Sequence, residues 1–515
     1  MGNAPVLLPI SGPKTYVNGA QLAITYDASR ANDWRADVTV DGLDRPGLMI
    51  DTISLRGGGI LQSGDGAQVG NVTADLRYGA AGLQLAQTGA AQAFGDEIGG
   101  DFVANRTEGQ QTEISRFTLS GAGLDAQIAG TIDGSQSGFK TNATMNMTVA
   151  GLERFATLIG QDIGGGAELA ILADLTPLDG LFNVMLSGET DNLSVGIPQV
   201  DRVLAGTGTI AAVAVRDTEG TRLESLRVQT DAANLRANAD LTSTGATARV
   251  NASLRDVGLV VDTLSGPVAV SGDVTQQTDG TLEFALDGTG PAVNFTTSGT
   301  VLPAPVGQTI TAAITANVRD LSRYAALGNR PLSGALNLTA GGVVQTDGLL
   351  FDLSISGETR DLVTGTDRID PLLAGDGSFI AAIRRPSGDA LSITDLRVQT
   401  PEMSMSGDAD LTMTGSNQAD LDFRINDASL LDPSLSGPIT LSIDAVPALD
   451  NATATNLRVI GPGTDLALDA TVASPAENYE VTGSLSAQIE SLATYASLIG
   501  QPIAGSIDLT ASGSV

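Results

Sequence analysis

Asp408 and Asp410 are an example of paired carboxylates in this 515-residue chain that could be considered as catalytic acids. A polysaccharide-acting enzyme would need two such acids at a defined separation in a cleft. Here one acid follows the other by two residues in an alternating segment, so both would project from the same, solvated face of a strand. We interpret them as solvated strand residues and predict that the chain is not an enzyme.

The chain contains neither cysteine nor histidine. Thiolate nucleophiles, disulfides, imidazole acid–base catalysis and metal sites with soft or imidazole ligands therefore lack their essential groups. Calcium binding at Asp-rich turns would be indicated by an EF-hand or a nonapeptide repeat, and the sequence shows neither pattern. We predict no cofactor and no metal site.

The charge balance is strongly acidic, with 59 Asp and Glu against 27 Lys and Arg and a formal net charge of −32. Phosphate backbones are bound by clustered cations, so we predict no nucleic-acid partner. No apolar run reaches the roughly 18 to 20 residues that span a bilayer, and Met1–Ile10 lacks the basic start of a signal peptide. We predict no transmembrane segment in this chain.

Strict alternation of apolar and polar residues is the dominant local pattern. Phe351, Leu353 and Ile355 alternate with Asp352 and Ser354, which is typical of an antiparallel strand with one solvated face. Glycine-containing polar segments such as 217–220 and 346–348 predict hairpins, and hence a meander. The residues that we predict on the apolar face are Phe182, Val184, Leu186, Val250, Leu254, Phe351, Leu353, Ile355, Leu421, Phe423 and Ile425.

A long repeat organises the chain. The strings FATLIGQDIGGGAEL from Phe155, YAALGNRPLSGALNL from Tyr324 and YASLIGQPIAGSIDL from Tyr495 align without gaps. Their even spacing predicts repeat units of about 170 residues. We predict a diverged, partial unit at 1–150, repeat units at 151–320 and 321–490, and the start of a truncated unit at 491–515. We expect the chain to be an internal piece of a longer protein, because capping repeats are not apparent.

The repeated string has a different periodicity from the strands around it. Leu152, Phe155, Ala156 and Ile159 fall at i, i+3, i+4 and i+7, which predicts one short amphipathic helix in each unit. Few basic residues flank it. We therefore favour a helix that caps the sheet over a helix that lies on a membrane surface.

Several segments resemble a known family. They are the string from Tyr495, the strand start LRVQT at Leu226 and Leu396, MSMSGDADL from Met403 and LAGDGSF from Leu373. From about residue 150 to its end, the chain resembles the TamB-like translocation and assembly module proteins, relatives of the AsmA-like, repeating β-groove proteins of the Gram-negative envelope.

The resemblance implies an elongated, U-shaped antiparallel β-groove of all-β class that conducts phospholipid acyl chains across the periplasm between the inner and outer membranes. It also implies support for outer-membrane lipid homeostasis and protein assembly, a parent protein anchored in the inner membrane, and an outer-membrane barrel partner engaged through a carboxy-terminal region that we do not find here. The alternative is a structural or adhesive β-solenoid of a secreted or surface protein, for which rungs of about 20 to 30 residues are usual.

Overall fold

The computed structural model describes residues 5–8, 13–30, 32–63, 69–303, 306–412, 417–449, 452–473, 480–496 and 500–514. The protein is all-β and its strand pairs are antiparallel. Its backbone contacts divide it into two units, Met1–Val260 and Val261–Val515. The predicted boundaries at 150, 320 and 490 follow the sequence repeat instead and stay predictions.

Unit 1 contains seventeen strands among its described residues. They are β1 (Val6–Leu7), β2 (Tyr16–Val17), β3 (Gly19–Asp27), β4 (Asp33–Arg45), β5 (Leu48–Ser63), β6 (Val69–Ala81), β7 (Gln84–Leu85), β8 (Glu97–Arg106), β9 (Thr112–Gly121), β10 (Leu124–Ile132), β11 (Thr141–Val149), β12 (Gly164–Thr176), β13 (Leu181–Ser194), β14 (Thr207–Arg216), β15 (Thr221–Thr230), β16 (Ala233–Thr242) and β17 (Gly245–Leu254).

Unit 2 contains fifteen strands among its described residues. They are β18 (Val268–Gln277), β19 (Leu282–Gly290), β20 (Val293–Pro303), β21 (Gln308–Val318), β22 (Ser333–Gln345), β23 (Leu350–Val363), β24 (Asp376–Ser387), β25 (Ala390–Gln399), β26 (Met403–Thr412), β27 (Gln418–Ile425), β28 (Ile439–Pro447), β29 (Thr453–Gly461), β30 (Thr464–Ala473), β31 (Glu480–Ile489) and β32 (Ile507–Ser514).

Helical segments are short and lie between strands. The α-helices are α1 (Thr88–Phe94), α2 (Ala156–Ile159), α3 (Pro198–Leu204) and α4 (Ala325–Gly328). The 3-10 turns are Ser135–Ser137, Leu152–Phe155, Val257–Leu259, Leu321–Tyr324, Asp370–Leu373, Ala428–Leu430 and Leu492–Tyr495. The predicted amphipathic helix is thus a 3-10 turn that continues into one α-helical turn at 152–159 and 321–328. In the third copy, Ile499 lies outside the described residues.

Consecutive strands pair as a meander from β8 to β17 in unit 1 and from β18 to β32 in unit 2. The predicted hairpins are confirmed: residues 217–220 join β14 to β15, and residues 346–349 join β22 to β23. Because consecutive strands run in opposite directions, their ends form two rims in each unit. The connections between successive strands lie in turn on one rim and then on the other, so every second connection along the chain is on the same rim.

One rim of each unit carries most of the helical segments, and we call it the helical rim. It comprises 150–163, 195–206 and 231–232 in unit 1, and 319–332, 364–375, 400–402 and 426–438 in unit 2. The other rim is the hairpin rim, formed by 107–111, 133–140, 177–180, 217–220 and 243–244 in unit 1 and by 278–281, 346–349 and 388–389 in unit 2. It carries one helical segment among the described residues, the 3-10 turn Ser135–Ser137. Of the helices that the structure describes, none has the length and apolar character needed to span a bilayer.

Candidate functional site

The candidate site is a sheet face on which alternate side chains of successive strands are apolar. In unit 2, Leu353 of β23 lies opposite Gly342 of β22 and Ile383 of β24. Ile355 lies opposite Ala340 and Ala381 in the same two neighbours. Directly opposed residues of an antiparallel pair project from the same face. The predicted residues Phe351, Leu353 and Ile355 therefore share one face of the sheet with apolar residues of the adjacent strands.

The same face continues over the strands that follow. Leu421 of β27 lies opposite Ile443 of β28, and Phe423 lies between Met405 and Leu441. These side chains are half-buried, while Asp422 and Arg424 between them are exposed. We call this surface, in each unit, the apolar face.

Unit 1 has an equivalent apolar face. Leu186 of β13 lies opposite Ile171 of β12 and Ala212 of β14, and Val184 lies opposite Ala173 and Ala214. Further along the unit, Val250 of β17 pairs with Ala237, and Leu254 pairs with Ala233. Phe182, Val184, Leu186, Val250 and Leu254 are all half-buried, and the residues that alternate with them are exposed.

The apolar faces are only partly covered. The 52.3 kDa chain has an accessible surface of 30100 Å². Two compact globular domains of half that mass would together expose about 21,000 Å². The excess exposure is what a sheet without a complete second layer produces, since its apolar side chains are shielded mainly by their own neighbours.

Coverage differs between the two rims. On β26, Met403 and Leu411 share the apolar face, yet Met403 at the helical rim is 7% exposed and Leu411 at the hairpin rim is 42% exposed. In unit 1, Leu241 on the apolar face at the hairpin rim is 55% exposed. The apolar face is thus closed along the helical rim and open along the hairpin rim.

Ile425 differs from the other predicted face residues because it lies in a closed core. It is 3% exposed and packs with Leu372 and Met403. Phe423, Leu430 and further partly buried residues surround this cluster. Leu372 comes from the 3-10 turn Asp370–Leu373, which the sequence pattern did not predict. Ile425 therefore presents little surface to a ligand.

Aromatic rings lie along the apolar face instead of standing above it. The ring of Phe295 covers Gly288 on the neighbouring strand, and the ring of Phe379 covers Gly357. A Cβ atom at either glycine would overlap the ring. Glycine at these positions is therefore a packing feature, since it lets a large side chain lie flat and leaves the space above the sheet free.

The opposite face of each sheet is predominantly polar and charged. Arg384 of β24 lies 3.7 Å from Asp352 of β23, and Arg458 lies 2.8 Å from Asp465. These pairs are exposed and contribute little to stability individually. Leu172 and Met185, opposed across β12 and β13, are exceptions that place apolar side chains on this face.

Hydrogen bonds that the sequence did not reveal hold the helical rim. Thr400 is buried; its Oγ1 donates to the carbonyl of Leu372 at 2.6 Å and accepts from the Met403 N–H at 3.0 Å. The Tyr324 hydroxyl donates to the Pro291 carbonyl at 2.6 Å. Burial raises the pKa of Tyr324, so this donor stays protonated over a wider range of pH.

Aspartates begin several of the 3-10 turns. Asp320 accepts from the N–H and the hydroxyl of Ser322 at 3.0 and 2.6 Å, and Asp427 accepts from the Ser429 N–H at 3.0 Å. Hydrogen bonds from Ser322 and Ser429 to these carboxylates lower the pKa of Asp320 and of Asp427. These aspartates act as N-caps, and in their charged form they accept the otherwise unpaired N–H groups of the turn.

The paired acids of β26 lie on the opposite face. Asp408 and Asp410 are both exposed, and Asp408 accepts a hydrogen bond from the Asp395 N–H at 2.7 Å. They are opposed by Asp420 and Gln418 across the strand pair. Within the described ranges, no group of three or more acidic side chains is arranged to hold a metal ion.

No protein-family model and no curated protein matches this chain.

Proposed function

We propose that the apolar faces line a groove that holds and conducts phospholipid acyl chains. The observation that carries this proposal is the one-sided pattern of the sheets: apolar residues continue from strand to strand on one face, and they stay half exposed up to the hairpin rim. Aliphatic side chains provide non-directional contact that depends on area, which lets an acyl chain slide without a fixed binding geometry.

The proposed groove is a repeating one. The strands β12 and β22 are both 13 residues long and follow equivalent copies of the repeated string, and β13 and β23 are both 14 residues long. The hydrogen bond from Thr400 to Leu372 has a counterpart of 2.8 Å from Thr230 to Val203. Such paired features support the repeat that the sequence predicts, and we propose that this repeat builds a U-shaped groove.

Antiparallel pairing favours the groove over the β-solenoid. Stacked rungs of a β-helix pair in parallel, whereas the meander here joins each strand to the next by a hairpin or a short helical segment. Together with the resemblance to TamB-like and AsmA-like proteins, this supports a bridge-like conduit in the periplasm of a Gram-negative bacterium that supplies lipid for outer-membrane biogenesis. Engagement of an outer-membrane barrel partner would involve residues beyond the apolar face.

Site-specific photo-crosslinking tests the proposal. A photoreactive amino acid at Leu353 or Phe423 should capture phospholipid when the whole chain is incubated with phospholipid vesicles. The same group at Asp352 or Arg424, on the opposite face of the same strands, should not. Equal labelling of both faces would refute the groove.

A pair of charge insertions on β23 gives an independent test. Leu353→Asp places a carboxylate on the apolar face, where a charge is costly next to an acyl chain, and should abolish transfer of a fluorescent phospholipid between vesicles. Ser354→Asp places the same charge on the opposite face and should leave transfer unchanged. Circular dichroism checks that both variants keep their sheet content.

A further inference from the structure

Three arginines lie on the apolar faces at the hairpin rim. Arg106 is the last residue of β8, Arg216 is the last residue of β14, and Arg385 lies close to the end of β24. Register places Arg216 opposite Phe182 and Arg385 opposite Phe351. Arg106 lies opposite Val72, on the same face as Ala104 and Phe102.

On the strands themselves, acidic side chains near these arginines are on the other face, while the connecting segments of the hairpin rim carry acids of their own: Glu108, Asp179, Asp347 and Asp389. The strand register shows that every Asp and Glu of β8 to β14 projects from the opposite face. Asp352, Glu358 and Asp376 of β23 and β24 also project from that face. Asp217 follows Arg216 directly, but it lies 2.7 Å from Arg222 of β15. On the described strands, these arginines therefore share their face with apolar side chains and not with carboxylates.

The placement recurs. Arg216 and Arg385 lie near the ends of β14 and β24, which hold equivalent places in the sequence repeat, and each is opposed by a phenylalanine of the predicted apolar face. The guanidinium of Arg385 donates to the Gly388 carbonyl at 2.9 Å, which anchors it beside the hairpin. Arg216 is exposed and Arg385 is half-buried, so both remain accessible from the open rim.

We propose that Arg106, Arg216 and Arg385 are binding points for the phosphate of a lipid headgroup whose acyl chains lie on the apolar face. This rests on the proposed function. A guanidinium presents a planar set of N–H donors that binds phosphate in a bidentate manner. The helical rim is closed by buried side chains such as Leu372, so the headgroup projects over the hairpin rim, where these three cations are. The ligand class is therefore a phosphate-containing lipid.

The test compares two lipids of equal acyl length with the whole chain. One is a short-chain phosphatidylglycerol and the other is the corresponding diacylglycerol, which lacks phosphate; inorganic phosphate is the third probe. Isothermal titration calorimetry should show that R216Q/R385Q weakens phosphatidylglycerol binding about three- to tenfold for each arginine. Diacylglycerol binding should be unchanged. The matched control R227Q/R384Q, with both exposed arginines on the opposite face, should bind both lipids as the wild type does.

Each other outcome overturns a defined part of the argument. Unchanged phosphatidylglycerol binding in R216Q/R385Q, or an equal loss for both lipids, refutes the headgroup contact. Inorganic phosphate that binds these arginines as tightly as the lipid does would reassign them to a free-anion site. Failure of the wild type to bind either lipid refutes the proposed groove itself.

Discussion

The two rims of the same sheets differ in how they treat apolar side chains. Along the helical rim of unit 2, Leu372, Met403 and Ile425 form a buried cluster to which 3-10 turns contribute, and the buried Thr400 hydroxyl donates a hydrogen bond to the Leu372 carbonyl. Along the hairpin rim, Leu411 of the same strand as Met403 is exposed, and the rim carries Arg385 on its apolar face. Stability is thus concentrated at one edge of the apolar face, and the other edge is left open for a ligand.

The largest effect should distinguish a closed core from an open face. Leu372→Ala removes a side chain that is 4% exposed and should destabilise unit 2 by about 2–4 kcal/mol, since it leaves a cavity. Leu353→Ala, on the half-buried middle of the apolar face, should cost less than about 1.5 kcal/mol. Urea denaturation followed by circular dichroism measures both. If the two variants are equally destabilised, the apolar face is a closed core and the groove is wrong.

The second prediction concerns the buried hydroxyl that joins β25 to the Asp370–Leu373 turn. Thr400→Val keeps the shape of the side chain but leaves the Leu372 carbonyl and the Met403 N–H without this partner. We expect a loss of about 1–3 kcal/mol in the free energy of unfolding. Thr296→Val, at an exposed strand position of the same unit, is the control and should change it by less than about 0.5 kcal/mol. Equal losses in the free energy of unfolding for the two variants would show that this hydrogen bond does not stabilise the helical rim.

Much of the apolar face and of the open hairpin rim could be predicted from the sequence. Little of the closed helical rim could be predicted in this way. Period-two alternation at Phe351, Leu353 and Ile355 predicted the apolar face, and glycine-containing segments predicted the hairpins, because both signals are local. The burial of Ile425 depends on Leu372, which is distant from it in sequence. A short 3-10 turn has no periodicity to detect, and the Thr400 hydrogen bond spans 28 residues.

The arginines of the hairpin rim show a second limit of prediction from the sequence. Their residue type is visible in the sequence, but their face follows from the register of neighbouring strands. Alternation of Arg384 and Arg385 places one arginine on each face of β24, and only the pairing with Phe351 decides which of them meets the apolar side chains. Register depends on turn length and on bulges, such as the irregularity between Arg384 and Ser387.

The third prediction removes a single hydroxyl from the helical rim. Tyr324→Phe loses the 2.6 Å hydrogen bond to Pro291 and should cost about 0.5–1.5 kcal/mol at pH 7. Because burial raises the pKa of Tyr324, its contribution is complete below the unfolded-state pKa near 10 and is lost as the pH rises through the folded-state pKa. The difference in stability between wild type and variant should therefore shrink in alkaline solution.

Tyr16→Phe, at an exposed tyrosine of unit 1, is the control for this measurement. It should leave the stability at pH 7 close to that of the wild type. A constant difference between Tyr324→Phe and wild type from pH 7 to pH 11 would contradict the assignment, because it would mean that the phenol does not titrate differently in the folded and unfolded states.

The smallest effect should come from the aspartate that caps the Ala428–Leu430 turn. Hydrogen bonds from Ser429 lower the pKa of Asp427, so its charged form stabilises the folded state above the unfolded-state pKa near 4, and this contribution is lost as the pH falls through the lower, folded-state pKa. Asp427→Asn keeps a capping oxygen and removes the charge. Thermal unfolding at a series of pH values from 7 to 2.5 should show a small deficit at neutral pH that disappears in acid, with Thr296→Val following the wild type throughout. A deficit in stability that persists at the lowest pH would contradict this prediction. It would show that the negative charge of Asp427 does not stabilise the turn.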